Sequence, residues 1–317
     1  MELAILDAAT LNDDLDLSIF DEFGTVHRYE LTRTPEELAA HSAGCEVLIL
    51  NKVKVNPLTF PNTDKVRLIC VTATGVDNID VDYCRSRGIA VCNVVGYSTD
   101  SVAQLTVAMA LSLVNRLPAY NRYVDRGYYT KSGTPNYLNP PFHELRGKTW
   151  GILGYGNIGA RVAAVAEALG CRVLVCKRTP LADREVTDVD TLCEQSDILS
   201  IHVPLTDETR GIINRERLAR MKKDAILINV ARGAVTDEAA LADAVLNQQI
   251  GGVGIDVYST EPLPLDHPFQ NILGLDNVCL TPHMAWGAYE ARVRCLEEIA
   301  KNIRAFLAGK QRNRIDV

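Results

Sequence analysis

No apolar stretch in this 317-residue chain approaches the ~20 residues that a bilayer-spanning helix needs. The longest such run, Leu105 to Val114, is about half that length. The N-terminus carries no cationic segment ahead of a hydrophobic one, so the sequence reads as a soluble, unsecreted protein of the cytoplasm. Basic residues are not in excess either. With 33 Lys and Arg against 40 Asp and Glu, the net charge is −7 and no positive field exists to hold a polyanion; nucleic acid and membrane drop out as partners. Among nine cysteines there is no C-x-x-C pair, their number is odd, and Cys70, Cys92 and Cys279 sit inside apolar runs. That pattern excludes a disulfide framework and leaves buried thiols of a reducing compartment, with no metal site expected. Internal repeats and low-complexity tracts are also missing.

What the chain does have is an ordinary globular balance, 47 % apolar and 23 % charged, at a length that favours two cores over one. Short β-rich runs (Leu3–Leu6, Thr25–Tyr29, Val47–Leu50, Leu68–Val71, Ala90–Asn93) alternate with helix-compatible segments such as Pro35–Ala43 and Val81–Arg87. The rhythm predicts a doubly wound α/β unit with a parallel sheet. From Ser98 to Leu117 a run rich in Ala, Leu, Val and Met predicts a buried linking helix, with Asp100 and Ser101 as capping candidates and Pro118 beyond its end. Ala119 to Glu144 shows no sustained period and reads as an irregular arm; its five tyrosines and Phe142 suit a subunit interface, and a homodimer is expected. Six further strands follow, at Thr149–Leu153, Arg172–Cys176, Asp197–His202, Ala225–Val230, Gly252–Val257 and Val278–Thr281, matching a dinucleotide-binding sheet. The stretch Ala288 to Leu307, with Ile299, Ile303, Phe306 and Leu307 on one stripe, predicts a helix that returns to the first domain.

Directly after the first of these six strands comes Gly154-Tyr155-Gly156-Asn157-Ile158-Gly159, followed by the helical stripe Ile158, Val162, Val165, Leu169. In this setting Gly154 makes the tight turn, Gly156 lets a pyrophosphate approach the backbone, and Gly159 lets helix pack on strand. The helix start then offers N–H groups to the phosphates. At the end of the next strand, where an NAD-selective site carries Asp or Glu, stand Lys177 and Arg178. Two cations there favour a 2′-phosphate and point to NADP, with NAD the other reading.

Beyond the glycine turn come, in order, Asn229-Val230-Ala231-Arg232-Gly233, Asp256-Val257-Tyr258-Ser259-Thr260-Glu261-Pro262 and Thr281-Pro282-His283-Met284-Ala285-Trp286. Together with Thr74-Gly75-Val76-Asp77-Asn78-Ile79-Asp80 and the run from Gly96 to Gln104, they resemble the D-2-hydroxyacid dehydrogenase family over nearly the whole chain. Within that family Leu50-Asn51-Lys52, the Tyr97–Gln104 run, Trp286 and Phe306-Leu307-Ala308-Gly309-Lys310 are similar to the glycerate dehydrogenase, or hydroxypyruvate reductase, group. The resemblance implies a Rossmann cofactor domain at 99–287 and a discontinuous, flavodoxin-like substrate domain at 1–98 and 288–317, with an active-site cleft between them. It implies NAD(P)H-dependent reduction of a small 2-keto acid such as hydroxypyruvate or glyoxylate to the D-2-hydroxy acid, and the reverse.

Carried over residue by residue, the resemblance makes His283 the acid and base, Glu261 the partner that orients its ring and stabilises the imidazolium, and Arg232 the clamp for the substrate carboxylate. Thr74 and Gly75 would meet that carboxylate through backbone amides, and Lys52 would shape the pocket. The cofactor would be touched by Thr106, Gly154, Gly156, Asn157, Ile158, Lys177, Arg178, Pro204, Thr209, Val230, Ala231, Arg232, Asp256 and His283, with Asp256 near the nicotinamide carboxamide. Two departures from the family pattern are Lys177 in place of its usual Asp and Gln104 in place of its common Glu. A phosphoglycerate dehydrogenase without a regulatory domain and a cofactor-sensing corepressor-like protein are the competing readings.

Overall fold

A computed structural model describes residues 1–62, 65–182, 184 and 186–317. They form two compact units, one made of Met1–Ser98 with Gly287–Val317 and the other of Thr99–Trp286. The first unit opens with β1 (Glu2–Ile5), β2 (Thr25–Arg28), α1 (Pro35–Ser42), β3 (Val47–Leu50), β4 (Leu68–Val71), α2 (Val81–Ser86) and β5 (Ala90–Cys92). Its five strands are all parallel, in the order β2-β1-β3-β4-β5. The sequences of β3 (VLIL) and β4 (LICV) do not alternate because every residue is buried, as a parallel strand covered on both faces requires. Helix α1 begins where Thr34 and Glu37 form a reciprocal capping box around Pro35.

The second unit runs α3 (Thr99–Val114), α4 (Leu117–Asp125), α5 (Tyr128–Lys131), β6 (Thr149–Leu153), α6 (Asn157–Ala168), β7 (Arg172–Cys176), α7 (Val189–Gln195), β8 (Ile198–Ile201), α8 (Arg215–Arg220), β9 (Ile226–Asn229), α9 (Glu238–Leu246), β10 (Gly252–Ile255) and β11 (Val278–Leu280). The sheet order is β11-β10-β9-β8-β6-β7, again all parallel. A single parallel bridge, Val175 to Val186, stands where a further strand would flank β7. Counting it gives the order 3-2-1-4-5-6-7, the dinucleotide-binding order 3-2-1-4-5-6 with its third strand reduced to one residue pair and β11 added at the far edge. The order therefore reverses between β6 and β8, the place where such sheets open a crevice at their carboxyl ends.

Two expectations about the linker are corrected. The helix stops at Val114, and Pro118 belongs to the first turn of α4, where its missing N–H costs nothing, so it starts a helix and does not follow one. Arg116 adopts a left-handed conformation (φ 54°) at a 63° bend between α3 and α4. The arm is also not wholly irregular, since α4 and α5 lie within it. Asp100 and Ser101 fall inside the first turn of α3; Asp100 accepts from Arg161 Nε (2.9 Å) and Ser101 donates to the Ala285 carbonyl (2.5 Å). Among the described residues no single helix is long and apolar enough to cross a membrane. The apolar composition of α3 serves the core, with Met109, Ala110 and Leu113 buried.

The chain then returns to the first unit as α10 (Tyr289–Leu307), which buries Ala291, Cys295, Leu296, Ile299, Ala300 and Ile303 and packs on β4 and on the 3-10 turn Leu17–Phe23. Arg292, on the same helix, grips both oxygens of Asp14 (2.5 and 2.7 Å) and the Leu11 carbonyl (2.7 Å). That guanidinium holds the Asp14 carboxyl down at about 2. After α10 the tail runs along the outer edge of β5: Ile315 N–H donates to Val91 O (3.0 Å), Asn93 N–H to Asn313 O (3.2 Å) and Val91 N–H to Asp316 Oδ1 (2.9 Å). An exposed strand edge is thereby covered by the chain itself. All nine cysteines are free thiols, seven of them buried. Burial pushes Cys193 and Cys295 up to about 12, so they pack as small apolar groups and present no thiolate.

Candidate active site

Three adjacent parallel strands, β9, β10 and β11, end level with one another, since Ile255 pairs with Asn229 on one side and Leu280 on the other. The segments leaving their carboxyl ends carry Arg232, then Asp256 and Glu261, then His283. Topology thus gathers on one sheet edge residues far apart in sequence, which is how parallel α/β folds build sites.

His283 Nδ1 lies 2.9 and 2.7 Å from the two oxygens of Glu261, with both side chains about three-quarters buried. Its backbone is left-handed (φ 54°), a conformation that costs a non-glycine residue roughly 1–3 kcal/mol and persists only where the surroundings impose it. Asp256 imposes it. Its Oδ1 accepts from Thr281 Oγ1 (2.6 Å) and Met284 N–H (2.8 Å), and its Oδ2 from Ala285 N–H (2.9 Å), so one carboxylate pins the turn on both sides of His283. Burial pushes the Asp256 carboxyl up, against the pull of those three donors and of His283. Tyr258 adds a bond from its hydroxyl to the Thr281 carbonyl (2.9 Å).

Arg232 is half-buried and donates from Nη1 to the Ala231 carbonyl (2.8 Å). The turn beneath it is held by Asn229, fully buried, whose Nδ2 donates to Arg232 O (2.9 Å) and whose Oδ1 accepts from Ala231 N–H (3.0 Å). Next to Arg232, a Cβ on Gly233 would stand 2.1 Å from the Tyr258 carbonyl carbon. Only glycine lets the Arg232 turn and the Glu261 loop approach this closely. Val230 is buried in the core and Ala231 half-buried in the same turn.

At the reversal of the sheet order, Gly154 takes φ +97°, and a Cβ there would collide with the His202 carbonyl at 2.8 Å. A Cβ on Gly159 would lie 2.1 Å from Gly154 O, so that glycine is a packing requirement. A Cβ on Gly156 would meet nothing within 4 Å. The fold itself does not demand glycine at this exposed position, at the N-cap of the twelve-residue α6, and the bare backbone leaves room for a group to approach. Asn157 and Ile158 begin α6 and contribute its first amides. These residues fit a dinucleotide pyrophosphate.

Beyond β7, Lys177 is half-buried and Arg178 is exposed, with Arg178 Nη1 3.8 Å from Glu208 Oε2 in a loose surface pair. Across the reversal, Thr209 Oγ1 donates to the Pro204 carbonyl (2.7 Å) and accepts from Thr206 N–H (2.8 Å), fixing the loop after β8. His202 at the head of that loop is driven down to about 3 by burial and is neutral; its Nε2 faces Ser200 Oγ at 3.0 Å. Its Nδ1 is enclosed without a partner among the described residues. Thr106 is 0 % exposed, and its hydroxyl donates to the Val102 carbonyl one turn back (2.8 Å).

In the first unit, Thr74 Oγ1 donates to Val94 O (2.7 Å), Asn93 Nδ2 donates to Thr74 O (2.8 Å), and half-buried Gly75 follows. Lys52 is exposed, but its backbone is fixed by Asp7, whose buried carboxylate accepts from Asn51 N–H (2.9 Å) and Lys52 N–H (2.6 Å). Burial pushes the Asp7 carboxyl up. Sequence reasoning missed Asp7, Glu238 and His267, and the holding role of Asn229, all of which brace loops that carry candidate site residues. The available signal was an acid or amide at a strand end or helix start, as in Ile5-Leu6-Asp7 and Asp237-Glu238.

Residues 107–285 match the model of the D-isomer specific 2-hydroxyacid dehydrogenase NAD binding domain. The chain is similar to a glycerate dehydrogenase of Methylorubrum extorquens, 38 % identical over 96 % of each chain. It is 33 % identical, over 99 % of each chain, to a hydroxypyruvate reductase of Blautia hydrogenotrophica. Among solved structures it is similar to the acyclic imino acid reductase Bsp5 in complex with NADPH and D-Arg, with TM-score 0.88 at 28 % identity, covering 99 % of this chain and 100 % of the other.

Proposed function

Because the chain belongs to the D-isomer specific 2-hydroxyacid dehydrogenase family, we propose that it reduces hydroxypyruvate or glyoxylate to the D-2-hydroxy acid, and catalyses the reverse oxidation. The observation that carries this reading is the His283–Glu261 pair, at 2.7 and 2.9 Å, on the strand end beside that of Arg232. The nicotinamide cofactor supplies the hydride when bound. With Nδ1 committed to Glu261, His283 exchanges its proton with the substrate oxygen through Nε2, as acid in reduction and base in oxidation. Glu261 keeps the ring oriented and offsets the charge of the imidazolium. Arg232 holds the substrate carboxylate in two parallel bonds and draws electron density from the ketone. From the first unit, Thr74 and Gly75 offer backbone amides to the substrate and Lys52 a cationic side chain.

For the cofactor, Gly154, Gly156, Asn157 and Ile158 receive the pyrophosphate, and Pro204, Thr209, Val230, Ala231 and Asp256 contact its remaining parts. Lys177 and Arg178 take the 2′-phosphate, so NADPH is the preferred donor. The buried, free thiols accord with a cytoplasmic setting. The arm supports a homodimer: Tyr123 and Tyr137 stack at 3.8 Å, Tyr120 and Phe142 meet edge to face at 6.0 Å, and Leu117, Val124, Tyr128 and Leu138 remain exposed. Light scattering is expected to give twice the mass of one chain; a monomer at micromolar concentration counts against the interface.

The test of the reaction is cofactor oxidation followed with hydroxypyruvate, glyoxylate and pyruvate, each with NADPH and with NADH. Fast turnover of hydroxypyruvate or glyoxylate, higher with NADPH, is expected. Arg178→Ala should weaken NADPH by about tenfold or more while leaving NADH nearly unchanged, since only the 2′-phosphate loses a charge-assisted contact. Equal losses for both cofactors would remove Arg178 from recognition, and no turnover with any acid would overturn the reductase reading.

A further inference from the structure

Behind the loop that carries Glu261 lies a second carboxylate that no step of the reaction uses. Glu238, the first residue of α9, is 9 % exposed, an unusual place for a charge unless it is fully engaged. Its Oε1 accepts from Ser259 N–H (2.9 Å), and its Oε2 accepts from the Ser259 hydroxyl in a short bond. The same Oε2 lies 3.0 Å from Nε2 of His267, which is 7 % exposed. The tautomer of His267 follows from its other nitrogen: Nδ1 accepts from Phe269 N–H (3.2 Å), so the proton resides on Nε2 and is donated to Glu238. Three donors thus converge on one buried carboxylate. Two of them belong to Ser259, two residues before Glu261.

The same loop has contacts of its own. Tyr258 N–H reaches Glu261 Oε1 (3.2 Å), the Tyr258 ring packs edge-on against His267 and Phe269, and the Tyr258 backbone lies against Gly233. Ser259 and Thr260 are exposed and the Glu261 side chain is only partly enclosed, so burial alone does not fix the loop. Glu261 must nevertheless present both oxygens to one imidazole nitrogen. A carboxylate displaced by about 1 Å loses that geometry, and misplacements of this size cost up to about 10²-fold in rate.

We propose that Glu238, with His267 fixing it, is a positioning residue for the Glu261–His283 pair. Glu238 touches no reacting atom; it anchors Ser259 and so sets where the Glu261 carboxylate stands. The inference rests on the proposed role of His283, and its test therefore includes a measurement that needs no substrate. Glu261 and Asp256 are charged groups that face His283 from the elements around it, and the Asp256 bonds to Thr281, Met284 and Ala285 do not involve Glu238.

The experiment compares Glu238→Ala, Glu238→Gln and Ser259→Ala with the unaltered full-length protein. Glu238→Ala is expected to lower kcat of keto-acid reduction by roughly 10–100-fold while cofactor affinity, read by fluorescence titration, stays within about twofold. Glutamine keeps an acceptor for Ser259 N–H but turns an N–H₂ toward His267, so it should fall between alanine and wild type. Exposed Ser259 gives a variant that folds even if Glu238→Ala does not, with an expected loss of about two- to fivefold. The split between kcat and KM separates positioning from simple destabilisation. A displaced Glu261 lowers kcat with little change in KM, whereas a lowered Tm alone leaves kcat per folded molecule unchanged well below the transition.

Independently of turnover, the downfield Nδ1–H proton resonance of His283, identified by its loss in His283→Gln, should shift upfield in Glu238→Ala and in Ser259→Ala. An unmoved resonance together with an unchanged kcat overturns the proposal. A moved resonance in a protein that turns over no keto acid would instead refute the reductase reading and leave the positioning role standing.

Discussion

His283→Ala is expected to lower kcat by roughly 10²–10⁴ in both directions, the span of a positioned acid or base and equivalent to about 3–5 kcal/mol of barrier. Several features make this variant informative. The ring is bound on one side by both oxygens of Glu261, and the turn that carries it is held through Thr281 Oγ1, Met284 N–H and Ala285 N–H, none of which belongs to the imidazole. Removing the ring therefore leaves the turn in place. Alanine must still adopt φ near 54°, so a modest fall in Tm is expected alongside the kinetic loss. Turnover within a few-fold of wild type would remove His283 from the proton transfer.

For Arg232→Ala, the expected signature is a raised KM for the keto acid together with a lower kcat, amounting to about 10³ or more in kcat/KM. The clamp acts on the substrate carboxylate before reaction and on the developing oxyanion during it, so both parameters move. The turn beneath Arg232 is gripped by Asn229 through backbone atoms only, Arg232 O and Ala231 N–H, so loss of the guanidinium should not unfold it. Arg232→Lys should recover little, because an ammonium cannot make two parallel bonds to a carboxylate. An unchanged KM in the alanine variant would count against carboxylate binding.

The strands of both units and the order of the glycine turn, Arg232, Glu261 and His283 are legible in the sequence because buried parallel strands read as unbroken apolar runs and the motifs sit at their ends. Even the return of α10 to the first unit follows from its stripe of Ile299 and Ile303. Other features are hidden for physical reasons. Val186 counts as a strand only through one bridge to Val175, too short to produce any periodicity. In the arm, α4 is amphipathic but only nine residues long, opens on Leu117-Pro118 and buries none of its residues, so it lacks the sustained apolar run that marks a core helix. Thr106 carries a polar side chain into a fully buried position by bonding its own helix, which a sequence pattern does not reveal. Asp7, Asp256 and Glu238 hold loops through contacts across 21 to 45 positions, a distance over which local pattern carries no information.

The two-part construction of the first unit sets an order of completion on a chain made from its N-terminus. Strands β1 to β5 emerge early, yet the helix that covers β4 and the tail that closes the edge of β5 emerge only after the whole of Thr99–Trp286. The second unit has all its parts first and can close while the early sheet still waits with one face and one edge bare. During synthesis, then, the vulnerable species is a nascent chain with a finished cofactor unit and an unfinished partner. Its unpaired β5 edge is where a chaperone, or a second nascent copy, would make contact.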